Sequence, residues 1–120
     1  MTTQLDEIRQ FLLENVETVA EIDALLFVYR CVGGCTVSHL TSTLGIERRD
    51  SARILGHLVA RQLLRFQASV GDWTFYFDPS TVQRSRCVKA LARLEREDRS
   101  KLAELLEANA LARAQTKTPQ

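Results

Sequence analysis

Residues 36–79 read TVSHLTSTLGIERRDSARILGHLVARQLLRFQASVGDWTFYFDP, and the order of capping, apolar and turn signals in this stretch decides the fold. Thr36 suits a helix N-cap, where a hydroxyl satisfies an orphan backbone N–H. Val37, Leu40 and Leu44 then recur on one helical face until Gly45, which reaches the left-handed conformation of a helix C-terminus at no steric cost. The spacing predicts a helix of about two turns. Ile46 is an apolar plug in the turn, and a second helix is expected over residues 48–62, with Ile54, Leu55, Leu58 and Val59 as its buried stripe. So tight a turn forces the two helices to cross. Leu63, Leu64 and Phe66 open an extended segment, and residues 69–72 carry a turn signal around Gly71. Trp73, Thr74, Phe75, Tyr76 and Phe77 form a β-prone return strand that ends at Asp78 and Pro79. A short helix, a turn, a second helix and a hairpin, in that order, is how small proteins present a helix to the major groove of DNA.

Upstream, a first helix is expected over residues 3–14 with Leu5, Ile8, Phe11 and Leu12 on its apolar side, and a partner subunit is one surface it can pack on. Thr18 followed by Glu21 is a capping box, so another helix starts there and points Ile22, Leu25, Leu26 and Tyr29 to the core before Gly33 and Gly34 end it. Residues 35–37 read as a brief strand against the hairpin.

Downstream of Pro79, residues 80–114 contain neither proline nor glycine, and Val88, Leu91, Leu94, Leu102, Leu105, Leu106 and Leu111 keep helical spacing. Asp98 and Arg99 interrupt the stripe, so one long helix and two helices broken near Ser100 both fit. A continuous helix of about 30 residues would extend ~45 Å, more than a small body covers, and its stripe would need a second surface. A dimer supplies one, with Asp98 and Asn109 at seam positions that fix register; packing over the chain's own domain is the alternative. The division expected is residues 1–79 as the domain, 80–114 as a dimerisation or packing helix, and 115–120 as a disordered tail.

The resemblance rests on Val37, Leu40, Leu44, Gly45, Ile46, Leu55, Leu58, Leu63 and Leu64, followed by the hairpin ending in Tyr76, Asp78 and Pro79. With these residues the chain resembles the winged helix-turn-helix superfamily of bacterial transcription regulators, in a layout nearest the MarR-like and related dimeric groups. Residues 16–30, VETVAEIDALLFVYR, look like the leading helix behind the motif in a group of uncharacterised bacterial winged-helix proteins. The fold class implied is mainly α with a small β-hairpin wing, a winged helix-turn-helix plus a long C-terminal helix. Nearly all matching positions are core positions, so they speak for fold and not for operator or ligand.

At 120 residues the chain is one domain with at most one appended element, and its net charge of +1 does not advertise a polyanion partner. Charge is nevertheless uneven. Residues 1–24 hold six acids against Arg9 alone, whereas residues 38–65 hold Arg48, Arg49, Arg53, Arg61 and Arg65 against Glu47 and Asp50. No stretch approaches the ~18 apolar residues of a membrane span, the N-terminus is not a secretory signal, and three cysteines form no disulfide framework. The expectation is a cytoplasmic protein with no membrane partner.

With Leu55 and Leu58 inward, Arg49, Ala52, Arg53, Gly56 and His57 fall on the outward side of the second motif helix, with Arg48 at its exposed first turn. Arginine pairs with a guanine edge or a phosphate, and the small residues let a backbone approach. The DNA-binding candidates are therefore Arg48, Arg49, Arg53 and His57, with Arg61 and Arg65 on the DNA backbone and Arg84, Arg86 and Lys89 as further phosphate contacts. A solvated face paired with Glu47 and Asp50 is the competing reading. The wing tip, SVGD, lacks Lys and Arg, and Asp72 there would repel phosphate; an exposed Trp73 suits a protein interface equally well.

Cys31, Cys35 and His39 stand four apart and are candidate metal or redox-sensing residues, but Gly33 and Gly34 break the helix that would align them. Buried structural cysteines are preferred, and no metal and no cofactor are expected. No nucleophile has an evident base and no phosphate loop is present, so an enzyme is not expected. The function expected is a DNA-binding transcriptional regulator acting as a homodimer on duplex DNA. The alternative is a winged-helix protein-interaction module, docking through its aromatic wing or C-terminal helix.

Overall fold

The computed structural model describes residues 4–68 and 70–117. Among these the chain forms α1 (Gln4–Asn15), α2 (Val19–Arg30), β1 (Cys35–Thr36), α3 (Val37–Leu44), α4 (Arg48–Ala60), β2 (Leu64–Gln67), β3 (Thr74–Phe77), α5 (Val82–Glu97) and α6 (Arg99–Lys117).

The helix starts follow local chemistry. Thr18 Oγ1 accepts the Glu21 N–H at 3.2 Å, Thr36 Oγ1 that of His39 at 3.1 Å, and Thr81 Oγ1 that of Arg84 at 3.1 Å. Glu21 completes its box one residue further upstream than the motif implies, accepting the Glu17 N–H at 3.0 Å. α3 ends at Gly45, whose φ of 68° is the left-handed cap expected of it. α4 stops at Ala60, two residues before the expected end, because Gln62 takes the left-handed conformation (φ 63°) and Leu63 N–H bonds back to the Leu58 carbonyl at 3.1 Å.

The three strands form one antiparallel sheet in the order β1-β3-β2. Register pairs Leu64 with Phe77 and Phe66 with Phe75 across the hairpin, and Cys35 with Phe75 on the other edge. The brief strand expected next to the hairpin is thus present over Cys35–Thr36. Gly34 sets the approach: at φ 95°, an added Cβ would lie 2.7 Å from both Thr74 Cγ2 and Tyr76 Cε1, so no larger residue fits.

A single core joins all these layers. Leu12, Val16, Ile22, Leu25, Leu26, Leu40, Leu55, Leu58, Leu63, Val88 and Leu91 are fully buried within it. Ser51 is a buried polar residue on α4, and its Oγ accepts from Thr41 Oγ1 at 2.9 Å, which pins the crossing of α3 and α4.

The C-terminal region departs from a continuous helix. Asp98 leaves the helical conformation (φ −154°, ψ 78°), and its carboxylate accepts the Lys101 N–H at 3.1 Å, capping a new helix. α6 then folds back on its own chain and packs against α1 and α5. Leu102, Leu106 and Asn109 are buried in that packing. Asn109 donates to the Arg9 carbonyl at 3.1 Å, and Arg113 donates to the carbonyls of Leu12, Leu13 and Val16 at 2.8–3.0 Å, closing the exposed end of α1. Asp98 is therefore a helix stop and Asn109 an internal contact, not positions on an extended seam. The apolar side of α1, expected to be available to a partner, is covered within the chain: Ile8, Phe11 and Leu12 are buried, while Leu5 stays exposed. Of the tail, Gln115 to Lys117 continue α6, and residues 118–120 lie outside the described residues, as do Thr3 and Ser69 of the expected first helix and wing turn. Among the described residues no helix is long and apolar enough to cross a membrane.

Candidate nucleic-acid interface

The period of α4 sorts its residues into two faces. Ser51, Ile54, Leu55 and Leu58 are buried, whereas Arg49, Ala52, Arg53, Gly56, His57 and Ala60 are exposed. The outward row Arg49, Arg53, His57 is the one expected, separated from the wing by the small residues Ala52 and Gly56. Space over Gly56 is open, with no atom within 4 Å of where a Cβ would sit. Arg53 reaches Asp50 at 3.7 Å, an exposed i,i+3 pair of small energetic weight. Arg49 forms no ion pair or side-chain hydrogen bond among the described residues.

The other candidate arginines are placed differently. Arg48 donates to Ser38 Oγ at 2.7 Å and to Asp72 Oδ1 at 3.2 Å, so its guanidinium bridges α4, α3 and the wing tip. Asp72 also accepts from Ser38 Oγ at 2.6 Å, from Ser38 N–H at 3.3 Å and from Trp73 N–H at 3.0 Å. The Ser38 hydroxyl, first of all, holds the Asp72 carboxyl below its ordinary range, with Arg48 adding to the effect. Asp72 is thus a clamp between wing and helix pair. It is not the bare phosphate-repelling tip expected of it.

Arg65 lies over the Tyr76 ring, 4.4 Å from its centroid, and pairs with Asp78 at 3.4 Å; it remains exposed at the hairpin base. Arg61 turns away from the motif. Its Nη1 donates to the Asn15 carbonyl at 2.7 Å and to that of Glu14 at 3.5 Å, capping α1, while its own carbonyl accepts from Arg84. Arg84 is thereby committed to the same junction, and Arg86 and Lys89 border a cleft with Gln4, Glu7 and Ile8 of α1.

A groove of about 480 Å³ runs between α4 and the wing, lined by Val37, Ala52, Gly56, Val59, Phe66, Trp73 and Phe75, with Arg48 and Asp72 at its edge. Phe66 and Trp73 stack at 4.9 Å with planes 7° apart and are 45% and 49% exposed. The register explains the stack. Phe66 faces Phe75, so Trp73 is its diagonal neighbour on the same side of the sheet, beyond the end of the core. Phe75 is buried and Phe77 meets Tyr29 edge-on at 4.9 Å, so the strand's aromatic side grades from core to solvent.

Cys31, Cys35 and His39 come together: their donor atoms all lie within 4.8 Å of one another. Burial, followed by the neighbouring Cys31, pushes the Cys35 thiol up to about 12. Cys87 lies apart, in α5, with its thiol also raised by burial. Gly33 and Gly34, expected to keep Cys31, Cys35 and His39 from aligning, have φ of 90° and 95°. They end α2 and turn the chain so that Cys35 returns beside Cys31.

No family model matches this sequence, and no curated protein matches it. Solved structures do match its three-dimensional form. Apo MarR from E. coli superposes with a TM-score of 0.56 at 17% identity, covering 94% of this chain and 84% of that one. A MarR-family transcriptional regulator from Rhodococcus sp. RHA1 gives 0.55 at 12% identity, covering 92% and 84%. BpsR of Bordetella bronchiseptica, whose DNA binding is regulated by 6-hydroxynicotinic acid, gives 0.55 at 17% identity, covering 97% and 86%. At such identities the likeness is one of architecture, and on it the chain has the winged helix-turn-helix fold of the MarR-family regulators.

Proposed function

We propose that the protein is a DNA-binding transcriptional regulator that acts in the cytoplasm as a homodimer, with the outward face of α4 entering the major groove. The observation that carries this reading is the row Arg49, Arg53 and His57, exposed beside Ala52 and Gly56 on a winged-helix frame. Arg49 and Arg53 supply bidentate donors to guanine edges or phosphate, His57 adds a donor at the far end, and the small residues admit the DNA backbone. Arg65 at the hairpin base reaches phosphate. Arg48 acts indirectly, fixing the wing to α4. Arg61 is left out of this interface, since its guanidinium is committed to α1.

Dimerisation would set two α4 helices in successive major grooves about 34 Å apart. Leu5 and Leu111, exposed on α1 and α6, are apolar surface available to a second copy. Nothing in this assignment calls for catalysis.

The test is fluorescence anisotropy with random duplex DNA over a salt series. Binding is expected to weaken steeply with salt, and Arg49→Ala with Arg53→Ala to remove most of the affinity and lower the salt slope by about 2. Absence of binding at low salt overturns the proposal. The exposed Phe66–Trp73 stack then favours the second reading, a protein-interaction module docking through the wing.

A further inference from the structure

We propose that Cys31, Cys35 and His39 form a binding site for one thiophilic divalent metal ion of the zinc type, tying the end of α2 to β1 and to the first turn of α3. Two thiols and an imidazole are the donor set such an ion prefers, and here the three donor atoms lie within 4.8 Å of one another. Tetrahedral coordination with Zn–S of ~2.3 Å and Zn–N of ~2.1 Å sets neighbouring donors about 3.6–3.8 Å apart. The present separations, at most 4.8 Å, are within about 1.2 Å of that spacing.

Three elements of the chain hold these donors. Cys31 is the C-cap residue of α2, and its N–H bonds to the Val28 carbonyl at 3.1 Å. Cys35 is fixed by its ladder pairing with Phe75. His39 sits in the first turn of α3, its N–H on Thr36 Oγ1 and its ring edge-on to Phe27 at 5.0 Å and 85°. Gly33 and Gly34 make the reversal that brings the two cysteines side by side, and Gly34 leaves no room for a side chain against Thr74 and Tyr76. His39 is exposed and Cys31 half-buried, so an ion enters from solvent, and water or an external ligand takes the fourth position. On binding, each coordinating thiol gives its proton to solvent and the imidazole binds as the neutral ring.

The site lies next to the wing anchor. Ser38, whose N–H and hydroxyl both hold Asp72, immediately precedes His39, and Cys35 pairs with the central strand of the wing sheet. Occupation would stiffen β1 and the start of α3 whether or not the protein binds DNA, so this site stands apart from the DNA reading.

Titration of the full-length, reduced protein with Zn2+ against a chromogenic chelator tests the assignment. One equivalent per chain is expected to bind, and Co2+ as a probe should give thiolate charge-transfer and tetrahedral d–d absorption. Cys31→Ser and His39→Ala, both at accessible positions, should each weaken Zn2+ binding by more than about a hundredfold, since even loss of an outer-shell partner costs ~10–100-fold. Cys87→Ser should leave it unchanged, and circular dichroism verifies that each variant is folded. Wild-type affinity no tighter than that of the folded Cys31→Ser and His39→Ala variants, or Co2+ spectra without thiolate charge transfer, overturns the proposal.

Discussion

The carboxylate of Asp72 on the wing tip lies 3.2 Å from the guanidinium of Arg48 in the first turn of α4, joining residues 24 positions apart. Ser38 of α3 bonds to both partners, so one small polar network fixes the wing against the helix pair. The candidate interface owes its shape to this network as much as to the helix that bears the arginines.

Asp72→Asn should therefore loosen the wing. The expected loss at neutral pH is about 1 kcal/mol, as for a few charge-assisted hydrogen bonds at a partly exposed site, with faster amide exchange in β2 and β3. The folded carboxyl titrates below its ordinary value, so its contribution is complete above the unfolded-state value and is lost as pH falls through the lower folded one. Stability curves of wild type and variant, measured by denaturant at a series of pH values, should converge on the acid side. Parallel curves at all pH values would contradict the clamp.

Gly34→Ala should destabilise strongly, by about 2 kcal/mol or more. The residue is at φ 95°, and an added methyl meets Thr74 and Tyr76 at 2.7 Å. Gly33→Ala is the informative partner, since its φ of 90° carries the backbone strain without any steric neighbour within 4 Å. Thermal unfolding should rank Gly34→Ala below Gly33→Ala and both below wild type.

Gly56→Ala should raise stability by roughly 1 kcal/mol, because glycine inside a helix costs about that much relative to alanine and the space above it is open. Gly56→Leu keeps helix propensity but sets bulk on the outward face between Ala52 and the wing. Duplex affinity should fall at least about tenfold for the leucine variant while its thermal midpoint stays at or above wild type. Unchanged affinity would remove this face from the interface.

Arg61→Ala separates a structural arginine from a DNA-contacting one. Its bonds to the Glu14 and Asn15 carbonyls cap α1, so its removal should cost about 1 kcal/mol or more of stability. The salt dependence of duplex binding should not change. A reduced salt slope in this variant would return Arg61 to the interface.

The placement of the arginines marks how far the sequence could be read. The faces of α4 followed from the positions of Ile54, Leu55 and Leu58 alone, because helical period determines which residues share a side. The caps at Thr18, Thr36 and Gly45 were legible for the same reason: each acts within a few residues of itself. Side-chain partners across the fold were not legible. Arg48 and Arg61 look alike in a basic stretch, yet one reaches the wing and the other a helix 46 residues earlier.

Two features also depended on the path of the chain. The interruption at Asp98 and Arg99 left one long helix and two broken near Ser100 both open; the structure ends α5 at Asp98, whose carboxylate accepts the Lys101 N–H, and the return of α6 over the chain buries Leu102 and Leu106. Cys31, Cys35 and His39 were visible as a spacing, but glycine turns that seemed to separate them are what bring them together. By itself the sequence determined the helices, the hairpin and the outward face of α4, since these are set by periodicity and by hydrogen bonds between near neighbours. Tertiary structure alone decided which charges stay free and where the last helix packs, because those depend on contacts between distant segments; that two thiols and an imidazole meet follows from the backbone angles of two adjacent glycines, which residue spacing does not encode.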